Sequence, residues 1–374
     1  MNPKLVEKLS LWQLAILIFI FEVGSVAVVG VGQEAKQDAW IAIALATGIG
    51  IGLIAFYMFL LSKLPGKNLF EILVFCLGKW VGKFIGALYV LYFFYIASRV
   101  LRDFCELIIT VIFKRTPIET IAITMMLVIV YMLYLGLEVL GRTSEVFIPY
   151  VFSFIIFIGL GTLFSGEMEF KNLQPILADG IGPIAKAIFP QLLTFPFGEM
   201  IAFMMIIPYL TKFKKAGKVS IAAVAISGLM IIYASVIQIT TLGLNMWERS
   251  SFPLLSAARE ISLLAFIERV DLIIVFIVMY GIIVKVSVFF YGGLKGIEVI
   301  INKPYRTLVF PLGMVISYFS IQISDTFAEH IEEGIMVIPM FLHLPFQLFI
   351  PALITPILIW KVKKQQRRTD NESV

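Results

Sequence analysis

Three ionisable side chains fall in the middle of long apolar segments of this sequence. Glu22 stands ten residues after Trp12, Lys285 stands ten residues before Lys295, and Glu199 lies near the centre of a third segment. Ten helical residues rise about 15 Å, which is half of a hydrocarbon core roughly 30 Å thick. A charge at that depth costs at least about 2.5 kcal/mol when it faces lipid. We therefore expect the three groups to face one another, a cavity, or the backbone of an interrupted helix.

Such a cluster of charges can bind a small polar molecule. The carboxylate of Glu22 or Glu199 would bind an ammonium group, and free backbone N–H groups at a helix N-terminus would bind an anionic group. Lys285 would occupy the place of a coupling cation. The alternative is structural: a buried Glu–Lys pair joins helices, and one glutamate is protonated. The residues alone leave both interpretations open.

The composition places these charges in a membrane protein. The chain has 374 residues, of which 60% are apolar and 15% charged, and its mean hydropathy is +0.97. Soluble domains have roughly 45–50% apolar and about 25% charged residues. These values argue against a soluble enzyme, a disordered protein and a nucleic-acid-binding protein. The net charge of +5 comes from basic residues in short loops, which is typical of contact with a lipid bilayer.

Ten apolar segments of about 20 residues predict an all-α polytopic membrane protein. Residues 243–268 are predicted to form a loop with a short surface helix at 254–266, and residues 362–374 a basic, disordered cytoplasmic tail. Residues 1–361 then form one membrane domain. The predicted spans are 11–31, 40–61, 84–113, 117–136, 146–165, 184–209, 219–242, 269–294, 305–324 and 337–360.

The positive charges of the loops set the orientation. Alternate loops and the termini carry 19 Lys and Arg residues on one side and 6 on the other. The acidic loop from Asp325 to Glu333 falls on the poorer side. Because positively charged loops stay in the cytoplasm, both termini are expected there.

Ten spans divide into two sets of five with opposite orientation, which is what an inverted repeat requires. We place repeat one at about 11–165 and repeat two at about 184–361. In such folds the ligand lies where the first helix of each half is interrupted. Glycine and proline are also common in membrane helices without any such role. The residues that predict the interruptions are Gly24, Ser25 and Gly30 in the first span and Pro190, Pro196, Gly198 and Pro208 in the sixth.

The third span carries charges nearer its outer end. Arg99 and Asp103, like Arg102 and Glu106, are spaced i,i+4 and are predicted to form ion pairs along the helix. The pairs are expected to lie at the membrane interface, where long side chains reach water. An outer vestibule in which Arg99 and Arg102 select ligands is the alternative.

The eighth span carries polar residues on two different faces. Ser287 and Tyr291 share one face of a helix, whereas Lys285 points about 160° away from Ser287. We expect Ser287 and Tyr291 to face the ligand and Lys285 to be partly structural.

The cysteines and histidines predict no metal site and no cofactor. Cys76, Cys105, His330 and His343 lack ligand-like spacing. An intramembrane enzyme would need a nucleophile and a base at depth, and both histidines fall in or beside the outer acidic loop. We therefore predict that the chain is not an enzyme.

Two segments carry a resemblance to a known family. The sequences FPFGEMIAFMMIIPYL (195–210) and AFIERVDLIIVFIVMYGIIVKVSVFFYGG (265–293), within a ten-span plan, resemble the B subunit of GerA-type spore germination nutrient receptors. That family belongs to the amino acid–polyamine–organocation transporter superfamily. The resemblance covers nearly the whole chain.

The resemblance implies a transporter-like fold with a ligand between the unwound parts of helices 1 and 6. It implies a subunit that senses a germinant together with an A subunit and a lipoprotein C subunit in the spore inner membrane. By position it places Gly24 and Ser25 at the helix 1 break, Phe197 and Gly198 at the helix 6 break, and Ser287 and Tyr291 on helix 8. Glu22 departs from the family, in which an apolar or small residue is expected.

The leading hypothesis is a receptor subunit that binds a small polar nutrient, in particular an amino acid, and signals without turning over substrate. The alternative is a proton-coupled amino acid permease in which Glu199 or Glu22 exchanges protons. A purely structural membrane partner would leave the three deep charges without a purpose.

Overall fold

A computed structural model describes residues 8–26, 30–260 and 270–372. In this part of the chain the regular secondary structure is helical, and a single backbone bridge joins Leu9 to Leu210. The α-helices are α1 (Leu11–Val26), α2 (Ala39–Lys63), α3 (Leu69–Leu77), α4 (Lys79–Val111), α5 (Ile118–Leu135), α6 (Leu137–Ser165), α7 (Gly182–Ala187), α8 (Phe213–Arg249), α9 (Pro253–Arg259), α10 (Val270–Ile301), α11 (Val309–Gln322), α12 (Phe327–Met336) and α13 (Ile350–Glu372).

The helices confirm an all-α polytopic membrane protein. Within the described residues, eight helices are long and apolar enough to cross a membrane. Two shorter apolar helices, Leu11–Gly24 and Val309–Gln322, lie at the remaining two predicted spans. The 33 residues of α4 rise about 50 Å, so this helix extends beyond the hydrocarbon core.

Helix α10 is the central element of the bundle. It is almost entirely buried between Ile274 and Leu294, and it packs against α1 and α4. At the crossing with α1 the backbones of Gly24 and Gly281 touch, and a Cβ atom on either residue would collide with the other helix. Glycine is required here because only a bare backbone allows this approach.

The region after the seventh span differs from its prediction. Helix α8 continues to Arg249 through a kink at Gly243, whose φ is +66°, so the predicted loop begins later. The predicted surface helix is α9, which packs against α8 with Leu254, Leu255 and Ala258 buried. Its apolar side chains therefore contact protein instead of lipid. The rest of the predicted segment, 261–269, lies outside the described residues.

The C-terminal segment is also more ordered than predicted. Helix α13 extends to Glu372, so residues 362–372 are helical in the structure, whereas the sequence predicted a disordered tail. The physical reason is continuity: a helix that begins in the membrane has already formed its costly first turns, and the Lys, Gln and Arg residues that follow Trp360 favour its extension.

The acidic loop between the ninth and tenth spans contains a helix that was not predicted. Thr326 caps α12 by accepting a hydrogen bond from the backbone N–H of Glu329 at 3.2 Å. The helix presents Glu329 and Glu332 to solvent and buries His330. Apolar residues at three- and four-residue spacing from Phe327 to Ile338 were the signal for an amphipathic helix.

Candidate functional site

An ion pair between Lys285 and Glu199 forms the centre of the site. The Lys285 Nζ atom contacts Glu199 Oε2, and the two side chains are 0% and 2% exposed. The ammonium group also lies over two aromatic rings, 4.4 Å from the centroid of Phe195 and 5.1 Å from that of Phe21. Cation–π attraction and the opposite charge compensate Lys285 for the loss of water.

Glu199 lies where the sixth predicted span is interrupted. The chain forms a π-helical turn at Ile188–Leu192, in which Phe189 has non-helical dihedral angles, and a 3₁₀ segment at Phe197–Met205. Proline at 190 and 196 lacks the N–H group that a regular helix needs. The predicted interruption of this span is therefore confirmed, and it places Glu199 in the first turn of the 3₁₀ segment.

A cavity of about 80 Å³ lies against Glu199. This volume holds several water molecules or a very small polar ligand. The cavity is bounded by α4, by the interrupted sixth span, by α12 and by the start of the tenth span. Its lining residues are Ile96, Arg99, Val100, Asp103, Gln191, Phe195, Glu199, His330, Ile331, Gly334, Ile335, Ile338 and His343.

Helix α12 covers the cavity and is held to α4 by charged contacts. Asp103 Oδ1 lies 2.8 Å from His330 Nε2, and Arg99 Nη1 lies 3.1 Å from Glu333 Oε2. Arg99 also donates to the backbone carbonyl of His330. The predicted Arg99–Asp103 pair along the helix is wrong, because each residue reaches across to α12 instead.

The other predicted pair of the third span is confirmed. Arg102 Nη2 lies 2.7 Å from Glu106 Oε1, and Arg102 Nη1 donates to the Ile321 carbonyl at 2.9 Å. This pair joins α4 to the end of α11 and does not line the cavity. Of the two arginines assigned to an outer vestibule, Arg99 therefore lies at the cavity and Arg102 does not.

A polar network that was not predicted borders the cavity on the tenth span. His343 Nδ1 lies 2.7 Å from the Tyr92 hydroxyl, and Gln347 Nε2 donates to the same hydroxyl at 2.9 Å. The Tyr57 hydroxyl donates to the Gln347 carbonyl at 2.8 Å. The available signal was His343 and Gln347, two polar residues spaced i,i+4 within an apolar span.

Glu22 is buried beside the ion pair without a hydrogen bond. Its side chain is 0% exposed, and neither carboxyl oxygen has a hydrogen-bond partner in the described structure. Its carboxyl group lies close enough to Lys285 and Glu199 for electrostatic interaction with both, and the neighbouring Phe21 ring lies under the Lys285 ammonium. The three deep charges thus converge, although Glu22 does not line the cavity.

Of the two residues expected at the helix 1 break, Gly24 occupies a packing position. Gly24 and Ser25 lie in the last turn of α1, which continues to Val26, so the predicted break does not begin at them. Gly24 contacts Gly281, which is a contact between helices and not a ligand contact. Residues 27–29 of the predicted break lie outside the described residues.

On helix 8 the structure places Lys285, and neither Ser287 nor Tyr291, in contact with Glu199. Ser287 and Tyr291 are fully buried and do not line the cavity, and the Tyr291 ring packs against Tyr305 with centroids 5.6 Å apart. Lys285 is the α10 residue that contacts Glu199, although it does not line the cavity itself. The packing of neighbouring helices decides which face of α10 meets Glu199.

Phe197 and Gly198 lie at the helix 6 interruption as expected. The Phe197 ring occupies the space beside Gly50 of α2, and Gly198 leaves room for the Gln347 side chain. The Gly198 carbonyl accepts a hydrogen bond from Tyr57 at 3.3 Å. Both residues therefore position the interruption next to Glu199 and do not line the cavity themselves.

Within the described residues, no group of three or more His, Cys, Asp and Glu side chains is placed to hold a metal ion. Cys76 and Cys105 are both free and buried. The absence of a metal or cofactor from the function stays a prediction.

Sequence comparison places this site in a family. Residues 8–328 match the Spore_permease family model, described as "Spore germination protein". The chain belongs to this spore germination family. The relatives include Spore germination protein KB of Bacillus subtilis, 36% identical over 98% of both chains, and Spore germination protein A2 of the same organism, 27% identical over 83% of this chain and 85% of that protein.

This chain shares its fold with transporters of known structure. Mhp1, a nucleobase-cation-symport-1 family transporter in a closed conformation, aligns with a TM-score of 0.65 at 13% identity and covers 86% of this chain and 73% of its own. MhsT in complex with L-phenylalanine aligns with a TM-score of 0.62 at 13% identity and covers 93% and 91%. At this identity the similarity concerns the fold alone.

Proposed function

We propose that this chain is the ligand-binding membrane subunit of a spore germinant receptor. The observation that carries the proposal is that Glu199, the carboxylate of the buried pair with Lys285, lines a cavity. A structural ion pair has no need of a cavity, whereas a binding site requires one.

The charges on the cavity favour a small ligand with both an ammonium and an anionic group. The ammonium would compete with Lys285 for the Glu199 carboxylate, and the anionic group would compete with Glu333 for Arg99. An amino acid has both groups, and L-phenylalanine in MhsT is such a ligand on the same fold. Because the cavity is about 80 Å³, a ligand larger than the smallest amino acids requires α12 to move.

The ligand would act as a signal by favouring one conformation. It can shift the equilibrium only by the difference between its affinities for the two states. Exchanging the Glu199–Lys285 and Arg99–Glu333 contacts for contacts with the ligand supplies such a difference. Partner subunits would then recognise the altered position of α12.

The assembly that we propose follows from membership of the family. The partners would be an A subunit and a lipoprotein C subunit, and the location the spore inner membrane, with both termini in the cytoplasm. The two repeats, 11–165 and 184–361, and the absence of enzymatic activity belong to the same proposal.

The second candidate is a proton-coupled amino acid permease. It is favoured by Glu22, a buried carboxyl group without a hydrogen-bond partner next to a charged pair, because such a group can take up a proton. Proteoliposomes that contain only this chain would test it: uptake of a labelled amino acid driven by a pH gradient supports the permease, and binding without uptake supports the receptor.

A thermal-shift panel on the detergent-purified chain tests the proposed function. Twenty amino acids, common sugars and nucleosides would each be added in millimolar excess, and Tm would be measured. We expect an amino acid to raise Tm, and Glu199→Gln to abolish the increase while the matched variant Glu106→Gln, which removes a pair away from the cavity, retains it. If no compound raises Tm, or if Glu199→Gln responds like the wild type, the cavity is not the ligand site.

A further inference from the structure

A second cavity lies on the lipid-facing surface of the bundle, between α1, α6 and α8. It has a volume of about 640 Å³, and every side chain that lines it is apolar. Its lining includes Ala15 and Phe19 of α1, Pro149 of α6, and Val219, Ala222 and Ile226 of α8. We refer to this surface as the α1–α8 groove. It is separate from the Glu199 cavity and shares no residue with it.

The dimensions of the groove suit a hydrocarbon chain. From Leu11 to Phe19 the groove follows α1 for eight residues, about 12 Å, which is most of one leaflet of a roughly 30 Å core. An apolar groove of about 640 Å³ over that length accommodates an extended acyl chain.

One end of the groove carries positive charge. The backbone bridge between Leu9 and Leu210, with Thr211 N–H donating to the Leu9 carbonyl at 3.3 Å, holds Lys8 beside the start of α8. On α8, Lys215 and Lys218 lie one turn before Val219 and Ala222 on the same face. All three lysines are exposed.

The neighbouring residues mark this end as the membrane interface. Trp12, which lines the groove, is 64% exposed, and exposed tryptophan is typical of the headgroup level. On the α6 side, Glu145 lies one turn before Pro149, so the three lysines outnumber the nearby acidic residue. A phosphate group at this level would lie against the three lysines, at the headgroup end of the apolar groove.

We propose that the α1–α8 groove binds an anionic phospholipid, with an acyl chain along Ala15, Phe19 and Ala222 and the phosphate on Lys8, Lys215 and Lys218. Charge complementarity at the mouth distinguishes this lipid from the neutral lipids that wet any apolar surface. The site braces α1, the helix that carries Glu22 and contacts α10 at Gly24. The stability of the chain is therefore expected to depend on lipid charge, whether or not the proposed receptor function is correct.

The test uses the full chain, purified in neutral detergent and freed of lipid. Dioleoyl-phosphatidylglycerol or dioleoyl-phosphatidylcholine is added at equal concentration, Tm is measured, and native mass spectrometry counts the bound lipids. We expect phosphatidylglycerol to raise Tm by about 3–5 °C, phosphatidylcholine to raise it much less, and the spectra to show one retained phosphatidylglycerol.

Two variants locate the effect. Ala222→Trp fills the groove from an exposed position and is expected to abolish the response to phosphatidylglycerol, whereas Leu45→Trp, at an exposed apolar position of α2, is expected to keep it. Lys215→Gln with Lys218→Gln should remove the preference for phosphatidylglycerol, whereas Lys363→Gln with Lys364→Gln removes equal charge on α13 and should not. The lysine variants change only exposed residues, so they decide the question if Ala222→Trp does not fold.

Several results would overturn the proposal. Equal Tm increases with the two lipids would show that lipid charge is not recognised. A full response in both Ala222→Trp and the Lys215/Lys218 variant would place the lipid elsewhere. A mass of two chains without bound lipid, lost in Ala222→Trp, would show that a second copy of this chain occupies the groove.

Discussion

Lys285 of α10 and Glu199 of the interrupted sixth span form an ion pair that is almost fully buried, with side chains 0% and 2% exposed. A buried pair is rarely a net source of stability, because desolvation cancels much of the attraction. Glu199 also lines a cavity, and under the proposed function a charged ligand there would replace one partner of the pair.

Glu199→Gln is expected to lower stability and to remove the ligand response. The amide leaves the Lys285 ammonium with a neutral partner, and breaking a buried pair costs about 3–5 kcal/mol. Unfolding in mixed micelles gives the change in free energy, and thermal shift with the stabilising amino acid gives the response. Glu106→Gln should also destabilise, since it breaks the Arg102 pair, but should keep the response. An intact response in both variants would exclude Glu199 from binding.

When Glu199 is replaced by glutamine, Glu22 is expected to take its place as the carboxylate partner of Lys285. Alone, Glu22→Gln should change stability little, because neither carboxyl oxygen makes a hydrogen bond. Combined with Glu199→Gln it should remove both carboxyl groups of the deep cluster around Lys285 and destabilise more than the sum of the single changes. A double-mutant cycle that shows a coupling energy above about 1 kcal/mol agrees with this; additivity within about 0.5 kcal/mol contradicts it.

Releasing α12 from α4 is expected to open the cavity. In a background with both native cysteines replaced by serine, a cysteine at the cavity-lining position Ile335 reports access through its rate of maleimide labelling. Glu333→Gln breaks the contact with Arg99 and should increase the rate several-fold. Glu332→Gln, an exposed position on the same helix, should not. Equal rates in the two variants would show that the Arg99–Glu333 contact does not hold α12 closed.

Gly24→Ala is expected to destabilise the bundle at the α1–α10 crossing. The added Cβ would collide with the backbone of Gly281, and overpacking typically costs about 1–3 kcal/mol. Gly48→Ala in α2, where a Cβ meets nothing within 4 Å, is the matched control and should be neutral or stabilising by up to about 1 kcal/mol. The difference in unfolding free energy between the two variants measures the cost of overpacking at the crossing of α1 and α10. Equal stability would show that the helices do not approach so closely.

The sequence was sufficient for features that the bilayer itself imposes. A hydrocarbon core requires about 20 apolar residues per helix and penalises each deep charge, so the positions of the helices and the unusual depth of Glu22, Glu199 and Lys285 could be inferred. Prolines interrupt a helix through local chemistry. This is why the irregular sixth span was also predictable.

Which side chains pair, and which face of a helix meets the site, could be known only from the tertiary structure. The i,i+4 rule correctly paired Arg102 with Glu106, but it failed for Arg99, because Glu333 and the His330 carbonyl, more than 200 residues away, offered nearer acceptors. Likewise, helical spacing showed that Ser287 and Lys285 point apart, and only the packing around α10 directed Lys285 toward Glu199. Such choices depend on contacts between distant segments, which local periodicity does not encode.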